Sequence, residues 1–531
     1  MNVSIHKFIR LSMVGLVAGS AGVWSGCTSD FEEINTSKTA ITTLTATELP
    51  YLFSRAQQQA SYAAGTYQTA QNLFADLYAQ YFATTTPNFQ SDRYFMHPTW
   101  INSHWNPVYT QVVPQLKTLF EQTDKASSQY ALASIWWVFA FHRLTDYYGP
   151  VPYFDAGIPA NSVKYDAQDK IYDDFFKRLA EATTILKGKT AEKPYGTYDI
   201  IYKGDVTKWI KFANTLRLRL ALRISKVDPA RAKTEAEAAI AGGLLSLPGD
   251  IDKQGDDAMM VKSLDGGDNN GLATISGWGE FRMSAAMESV LKGFDDPRIG
   301  IYFQPAFNTK TYEGLRNGLG PTELTESLNT NDNNSNIGER WIKNTGAGSA
   351  WDRQLAVKQD VMHAAEAYFL LAEAALNGWN TGGVTAQQAY EKGIRTSMES
   401  WGISSAVTDA YIVSTKTPTA PQDQQKSPAL SNITVKWGAT EAIQREQIAT
   451  QKWLALYPDG IEAWAEFRRT KLPKLYPVVN SVNTDVPTSA YPRRIPFLLL
   501  EQQSNTEAVK AALSLLNGPD KASTPLWWDK N

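Results

Sequence analysis

Along much of the chain the hydrophobic residues recur at intervals of three and four, the spacing that gathers them on one face of an α-helix. Between Asp169 and Leu186 that face comprises Tyr172, Phe175, Phe176, Leu179, Ala182 and Leu186. Between Val206 and Ile224 it comprises Val206, Trp209, Ile210, Ala213, Leu216, Leu220 and Ile224, and Val361, Ala365, Tyr368, Phe369, Ala372 and Leu376 repeat the pattern. Further helices are expected from Thr45 to about Ala64, over Gln68–Ala83, Trp100–Thr123 and Ser127–Tyr148 (stopped by Gly149-Pro150), over Ala230–Ala241, Thr440–Tyr457 and Gly460–Arg469, and from Asn505 to Leu516. Thr45 with Glu48 has the form of a capping box. Thr84–Met96 is expected to be a loop, and no segment sustains an alternation of period two.

Long polar stretches interrupt these helices. Residues 244–275 and 308–349 are rich in Gly, Asn and Asp, and residues 404–435 in Ser, Thr, Pro and Gln. Loops this long inside a folded chain are usually functional or disordered. Ala213, Ala221, Ala364, Ala372 and Ala375 let helices approach closely. The pattern predicts a mainly α fold: a tetratricopeptide-like scaffold of helix pairs, lacking the strict repeat of roughly 34 residues, with a long-looped irregular binding region laid against it.

The N-terminus changes the picture. Lys7 and Arg10 precede the apolar run Leu11–Val23, which leads to Trp24-Ser25-Gly26-Cys27. This is the order of a secretory signal, and the run is shorter than the roughly 20 residues that span a bilayer. Residues 1–26 are therefore read as a signal peptide, 27–44 as a tether and 45–531 as one helical domain. Cys27 is the only cysteine, which excludes an internal disulfide. Its place after Ser25-Gly26 is similar to a bacterial lipobox, whose cysteine becomes the lipidated N-terminus, although Trp24 departs from the usual Leu or Val. The competing reading, an incidental cysteine near an ordinary cleavage point, leaves its solitary occurrence at this position unexplained. An acyl anchor holds a protein to a membrane with no spanning helix.

With 51 basic and 54 acidic residues, net −3, the chain lacks a nucleic-acid footprint. Its five histidines, His6, His97, His104, His142 and His363, form no H-E-x-x-H, and there is no C-x-x-C, G-x-S-x-G or P-loop. His142 and His363 are read as packed core residues. The pairs Asp173-Asp174, Asp256-Asp257 and Asp295-Asp296 are read as helix caps or solvent-facing groups. A carboxylate pair for glycoside hydrolysis is defined by its separation in space, which the sequence leaves open. Asp265, Asp268, Asn269 and Asn270, and residues 331–336, offer the oxygens calcium takes, but neither set has a calcium-loop spacing, and turn chemistry is the preferred reading. Arg468-Arg469 and Arg493-Arg494 are read as pairing with acids or helix ends rather than with an anionic ligand. No catalytic residue, metal or cofactor is assigned.

The aromatic supply, 16 Trp, 24 Tyr and 21 Phe, exceeds what a core needs. A sugar ring has an apolar C–H face that stacks on Trp or Tyr, while Asn, Asp or Arg bond its hydroxyls. Two places fit. Arg93, Tyr94 and Trp100 lie near Asn88 and Asp92; Trp278 follows the Asn/Asp-rich loop, and Trp341 and Trp351 bracket Asn344. Asn88, Arg93, Tyr94, Trp100, Trp278, Trp341 and Trp351 are the candidate ligand contacts, burial being the alternative for each. Trp105, Trp136, Trp137, Trp209, Trp453 and Trp464 fall inside helices and are read as core.

Seven stretches in order resemble the SusD/RagB family of nutrient-binding outer-membrane lipoproteins, in particular its second SusD-like subgroup. They are Cys27–Asn35, Leu144–Ala156, Trp209–Ser225, Asp295–Arg298, Glu366–Ala375, Ala389–Ser400 and Trp453–Pro473. The acidic residues Asp30, Glu32 and Glu33 also look like that family's surface-export signal. The resemblance implies four tetratricopeptide-like pairs plus a looped binding region, a place at the cell surface as a lid on a SusC-like TonB-dependent transporter, and capture of a nutrient without chemistry. An oligosaccharide is the expected ligand; the alternatives are peptide capture of the RagB type and a secreted glycoside hydrolase. Asn214, in a family-like stretch, is expected to be structural.

Overall fold

The computed structural model describes residues 47–60, 64–160, 162–247, 255–264, 267–344 and 351–530. Cys27, the Thr45 half of the expected capping box, and Asp265 lie outside them. In chain order the elements that matter here are α1 (Leu49–Gln59), a π-helix α2 (Gln68–Asp76), β1 (Phe82–Thr84), α3 (Ser128–Tyr148), α4 (Gln168–Lys187), α5 (Val206–Arg223), α6 (Pro229–Ala241), β2 (Ala258–Met260), α7 (Gly271–Ser276), β3 (Phe281–Met283), β4 (Ile342–Asn344), β5 (Trp351–Arg353), β6 (Gln359–Met362), α8 (Ala364–Leu376), α9 (Ala386–Ser400), α10 (Glu441–Leu456) and α11 (Gly460–Thr470). Among the described residues, no helix is long and apolar enough to cross a membrane.

Four successive helix pairs, α3/α4, α5/α6, α8/α9 and α10/α11, make the scaffold. Local chemistry sets their ends. Ser127, Asp205, Asp228 and Asp459 cap α3, α5, α6 and α11 by accepting first-turn N–H groups, and Thr385 forms a reciprocal capping box with Gln388 on α9. Gly149 ends α3 at φ +89°, open to glycine at no steric cost. Helix α3 is apolar almost all round and correspondingly buried almost throughout. Trp136, Trp209, Trp453 and Trp464 are buried as expected, and each indole N–H finds an acceptor: the carbonyl of Ala56, the carboxylate of Asp199, and the carbonyls of Ala79 and Pro492. Trp105 and Trp137 are buried too.

Among the described residues the strands are short and lie in three antiparallel pairs, β1 with β3, β2 with β6 and β4 with β5. Two of them correct the helical reading. The expected helix over Gln68–Ala83 stops early because Gln80 takes a positive φ of 54°, after which Phe82–Thr84 pairs with β3. Val361 and Met362 belong to β6, so helix α8 begins only at Ala364. Between Trp100 and Thr123 the chain makes short turns at Trp100–Asn102 and Trp105–Pro107, a π-turn at Val108–Val112 and an α-helix at Val113–Gln122. Pro107 and Pro114 both lack the N–H that a continuous ladder requires. Within 404–435, Ser405–Ile412 is helical, and the last helix divides into Leu499–Ser504 and Thr506–Ala512.

The stretches that carry the family resemblance build the buried polar core. Arg219 of α5 holds Glu366 of α8, and Arg223 holds Glu462 of α11. Arg469 of α11 joins Glu373 and Glu466. Arg468 lies over Trp464 at 3.6 Å, and Arg493 and Arg494 pair with Asp529 and Asp520, so none of these arginines stands ready for an anion. Asp296 is a correction: it is buried, in a two-pronged contact with Arg298 and accepting the Tyr411 hydroxyl, and neither caps a helix nor faces solvent. Asp257 does cap, accepting the Ala364 N–H at the start of α8. His142 is packed between the Val138 carbonyl and Arg219, and burial pulls its pKa down. His363 sits between Asp257 and Asp360 at 3.6 and 3.2 Å; burial opposes its charge, but the two carboxylates prevail and raise its pKa to about 10. Asn214 donates to the Gly243 carbonyl at 3.0 Å, a structural role.

Candidate functional site

The β1–β3 ribbon brings together segments almost 200 residues apart in sequence, with Phe82 opposite Met283 and Thr84 opposite Phe281. The chain leaving β1 runs into the 85–100 loop, and the chain entering β3 carries Trp278. They are stitched at that end: the Thr85 N–H donates to the Glu280 carbonyl at 3.0 Å, the Thr85 hydroxyl to the Gly279 carbonyl at 2.7 Å, and Asn331 Nδ2 to the same Gly279 carbonyl at 3.0 Å. The 85–100 loop and the segment carrying Trp278 thus leave the same ribbon end.

Trp278 follows α7, whose first turn Asn270 caps by accepting the Ala273 N–H at 3.0 Å. The indole is 43% exposed, an unusual position for the largest apolar side chain. In the 85–100 loop, Trp100 is half-buried and stacks on His97 at 4.4 Å between ring centres; Phe89 meets it edge-on at 5.5 Å. Phe95 is exposed and edge-on to His97. Phe89, Phe95 and His97 were not among the candidates, and their only sequence signal was closeness to Trp100. Asn88 is exposed in the same loop.

Asp92 holds this loop in place. It is buried and accepts from the Thr84 N–H at 3.2 Å, the Gly318 N–H at 3.1 Å and Asn317 Nδ2 at 2.7 Å. Burial pushes its carboxyl up to about 6 although these bonds favour the charged form. The carbonyl of half-buried Arg93 accepts from the Val482 N–H at 2.9 Å, tying the loop to a third segment.

Two candidates do not stand where a ligand platform needs them. Trp341 is fully buried, edge-on to Tyr457 at 5.8 Å and beneath the guanidinium of Arg340 at 5.1 Å, so its ring faces are spent on packing. Tyr94, at φ +66°, packs its ring edge-on against Tyr78 at 5.7 Å and is 5% exposed. Trp351 lies on β5 opposite Asn344, and that strand borders α7 through a bond from Arg353 Nη1 to the Thr274 carbonyl at 3.2 Å; its side chain is outside the described residues.

The Asn/Asp-rich loops spend their side chains on the protein. Lys262 pairs with Asp268 at 3.1 Å, and Asn333 and Asn334 donate to the carbonyls of Ser327, Leu328 and Thr330. Among the described residues, no group of three or more His, Cys, Asp or Glu is placed to hold a metal ion.

The family model for SusD-like proteins, Susd and RagB outer membrane lipoprotein, matches residues 31–529. The chain is similar to a chitin-binding SusD homolog from Flavobacterium johnsoniae, with 35% identity over 91% of this chain and 99% of that one and a TM-score of 0.82. It is similar to a SusD-like protein from Bacteroides thetaiotaomicron (32% identity, 91% and 99% covered, TM-score 0.80). A SusD homolog from Bacteroides uniformis gives 32% identity, the same coverage and a TM-score of 0.79. No curated protein matches the chain. With the model spanning nearly the whole sequence, the chain belongs to the SusD/RagB family of outer-membrane lipoproteins.

Proposed function

We propose that the protein captures an oligosaccharide at the cell surface and delivers it to a SusC-like TonB-dependent transporter, without chemistry. The observation that carries the reading is the exposed Trp278, on the segment that the ribbon end bonds to the start of the 85–100 loop, whose Trp100, Phe89 and His97 form an aromatic group; Asn331 bonds the turn after Trp278. Stacking on a ring costs little entropy because the side chain has few rotors to fix. The chitin-binding SusD homolog at 35% identity makes N-acetylglucosamine oligomers the first ligands to test. Lipidation at Cys27 after removal of residues 1–26 would supply the membrane anchor, with the binding face directed outward.

The test is isothermal titration calorimetry of the chain from Cys27 onward, with that residue replaced by Ser, against chitotetraose, maltotetraose, cellotetraose and a peptide panel. Saccharide binding that weakens in Trp278→Ala or Trp100→Ala supports the reading. Binding of peptides alone moves the protein to RagB-type capture. Release of shorter sugars by the purified protein overturns the non-catalytic assignment.

A further inference from the structure

A cavity of about 430 Å³ opens between the end of α11 and the extended segment that follows it. That size lies within the range of roughly 300–1,000 Å³ typical of small-molecule sites. Rings of Tyr78, Tyr94, Phe467 and Tyr491 line it. Tyr78 and Tyr94 meet edge-on at 5.7 Å, and Phe467 and Tyr491 at 4.7 Å, so the walls hold each other in place.

The hydroxyls distinguish this cavity from a gap in packing. Among the described residues, neither the Tyr94 nor the Tyr491 hydroxyl has a hydrogen-bond partner. The Tyr78 oxygen is fully enclosed and also unpartnered, whereas the Tyr94 oxygen is not enclosed although its residue is 95% covered. The small part of Tyr94 left open therefore includes its hydroxyl, and the cavity is the space it lines. The enclosed Tyr78 hydroxyl bears the cost of an unmade bond, whereas the Tyr94 hydroxyl is open to whatever fills the cavity. Both cations at the rim are already matched, Lys471 with Asp529 at 2.7 Å and Lys474 with Glu446 at 3.1 Å. The cavity thus combines apolar ring walls, free hydroxyls and balanced charge. That combination fits a neutral pyranose, which offers C–H faces to rings and hydroxyls to hydroxyls; it fits an anion poorly, and a purely apolar side chain would leave the Tyr94 oxygen unmet.

We propose that this cavity is a second saccharide site, separate from the Trp278 face, that holds one neutral sugar ring between Tyr491 and Tyr94. The inference rests on the saccharide-binding reading above. Calorimetry on the same chain with chitotetraose, maltotetraose and cellotetraose tests it. The wild type is expected to show two binding events. Tyr94→Phe and Tyr491→Phe each remove one oxygen and keep the ring, and each weakens one event by roughly fivefold or more. Tyr491→Ala abolishes that event, and Trp278→Ala weakens the other about fivefold to tenfold. A wild type that binds through Trp278 with an isotherm unchanged in all three tyrosine variants overturns the cavity and leaves the saccharide reading standing. A single event lost equally through Trp278 and Tyr491 overturns the separation of the sites. A wild type that binds none of the sugars overturns the saccharide reading and the cavity with it.

Discussion

Arg219 and Glu366 form a two-pronged pair, Nε to Oε1 at 2.7 Å and Nη2 to Oε2 at 2.6 Å, with both side chains wholly removed from solvent. Glu462 lies 3.7 Å from the same guanidinium and bonds Arg223. The geometry fixes how α5, α8 and α11 sit against one another. Breaking such a pair leaves a buried charge uncompensated, whereas replacing both members with apolar residues of similar volume is often neutral. Glu366→Leu is therefore expected to cost about 3–5 kcal/mol, and Arg219→Met with Glu366→Leu to recover most of that. Urea denaturation followed by circular dichroism checks it; a double variant no more stable than the single one refutes the account.

That network also explains what the sequence could and could not disclose. The three-and-four spacing of apolar residues in α5 and α8 is legible, but the pairing of Arg219 with Glu366 and of Arg223 with Glu462 joins positions 147 and 239 residues apart and is not. The helix pairs follow from the same periodicity. Helix α9 was carried by family resemblance alone, and its apolar face is interrupted by Gly393, which packs against the Phe369 ring. The ribbon end was not legible, since β1 and β3 are short, and their pairing depends on residues nearly 200 positions apart. Nor was the fate of Trp341 and Tyr94. A tryptophan in a polar loop reads the same whether its ring faces solvent or folds beneath Arg340, and only the φ of Tyr94 turns it inward.

Trp278 and Trp341 are expected to separate cleanly. Trp341→Ala removes a fully buried indole and should cost about 3–5 kcal/mol in stability. Saccharide affinity at the Trp278 face should be unchanged per folded molecule. Trp278→Ala should leave the thermal midpoint almost untouched and weaken saccharide binding about fivefold to tenfold, the loss of one stacking contact. The reverse pattern, with Trp341 governing affinity, sinks the assignment of the site to the ribbon end.

Asp76 gives a pH dependence with a definite sign. It is fully buried, accepts from Tyr67 at 3.2 Å and Gln71 at 3.0 Å, and burial raises its pKa to about 7. An unfolded aspartate titrates near 3.9. Between those values the folded state holds a proton that the unfolded state has released. Its contribution to stability is therefore fully present below about pH 4 and lost as pH rises through about 7. Asp92, raised to about 6, acts with the same sign. Other acids run the opposite way, Glu466 and Asp360 being held low by their cationic partners against the effect of burial. The informative quantity is thus the difference between wild type and Asp76→Asn. The variant should gain on the wild type as pH rises from 4.5 to 8, read as thermal midpoints across that range. A constant difference would show that Asp76 does not titrate there.

Asp92 touches no part of the proposed ligand face, yet it should control affinity there. It is the common acceptor for Thr84 on β1, for Asn317 and for Gly318, and it follows Asn88 and Phe89 in the loop that ends at Trp100. Asp92→Ala strands the Thr84 and Gly318 N–H groups, each at about 1–3 kcal/mol if left buried and unpaired, while Asn317 Nδ2 keeps the Phe82 carbonyl at 2.8 Å. Relaxation of the loop toward water lowers that penalty at the expense of order in residues 85–100. The expected result is a lower thermal midpoint, faster amide exchange across residues 85–100, and saccharide affinity reduced at the Trp278 face. Asp92→Asn keeps an oxygen acceptor and the side-chain volume, so it should retain most of the affinity. If Asp92→Ala loosened the loop and left the affinity at the Trp278 face intact, Trp100 and its neighbours would not belong to the ligand platform, and Trp278 alone would have to carry it.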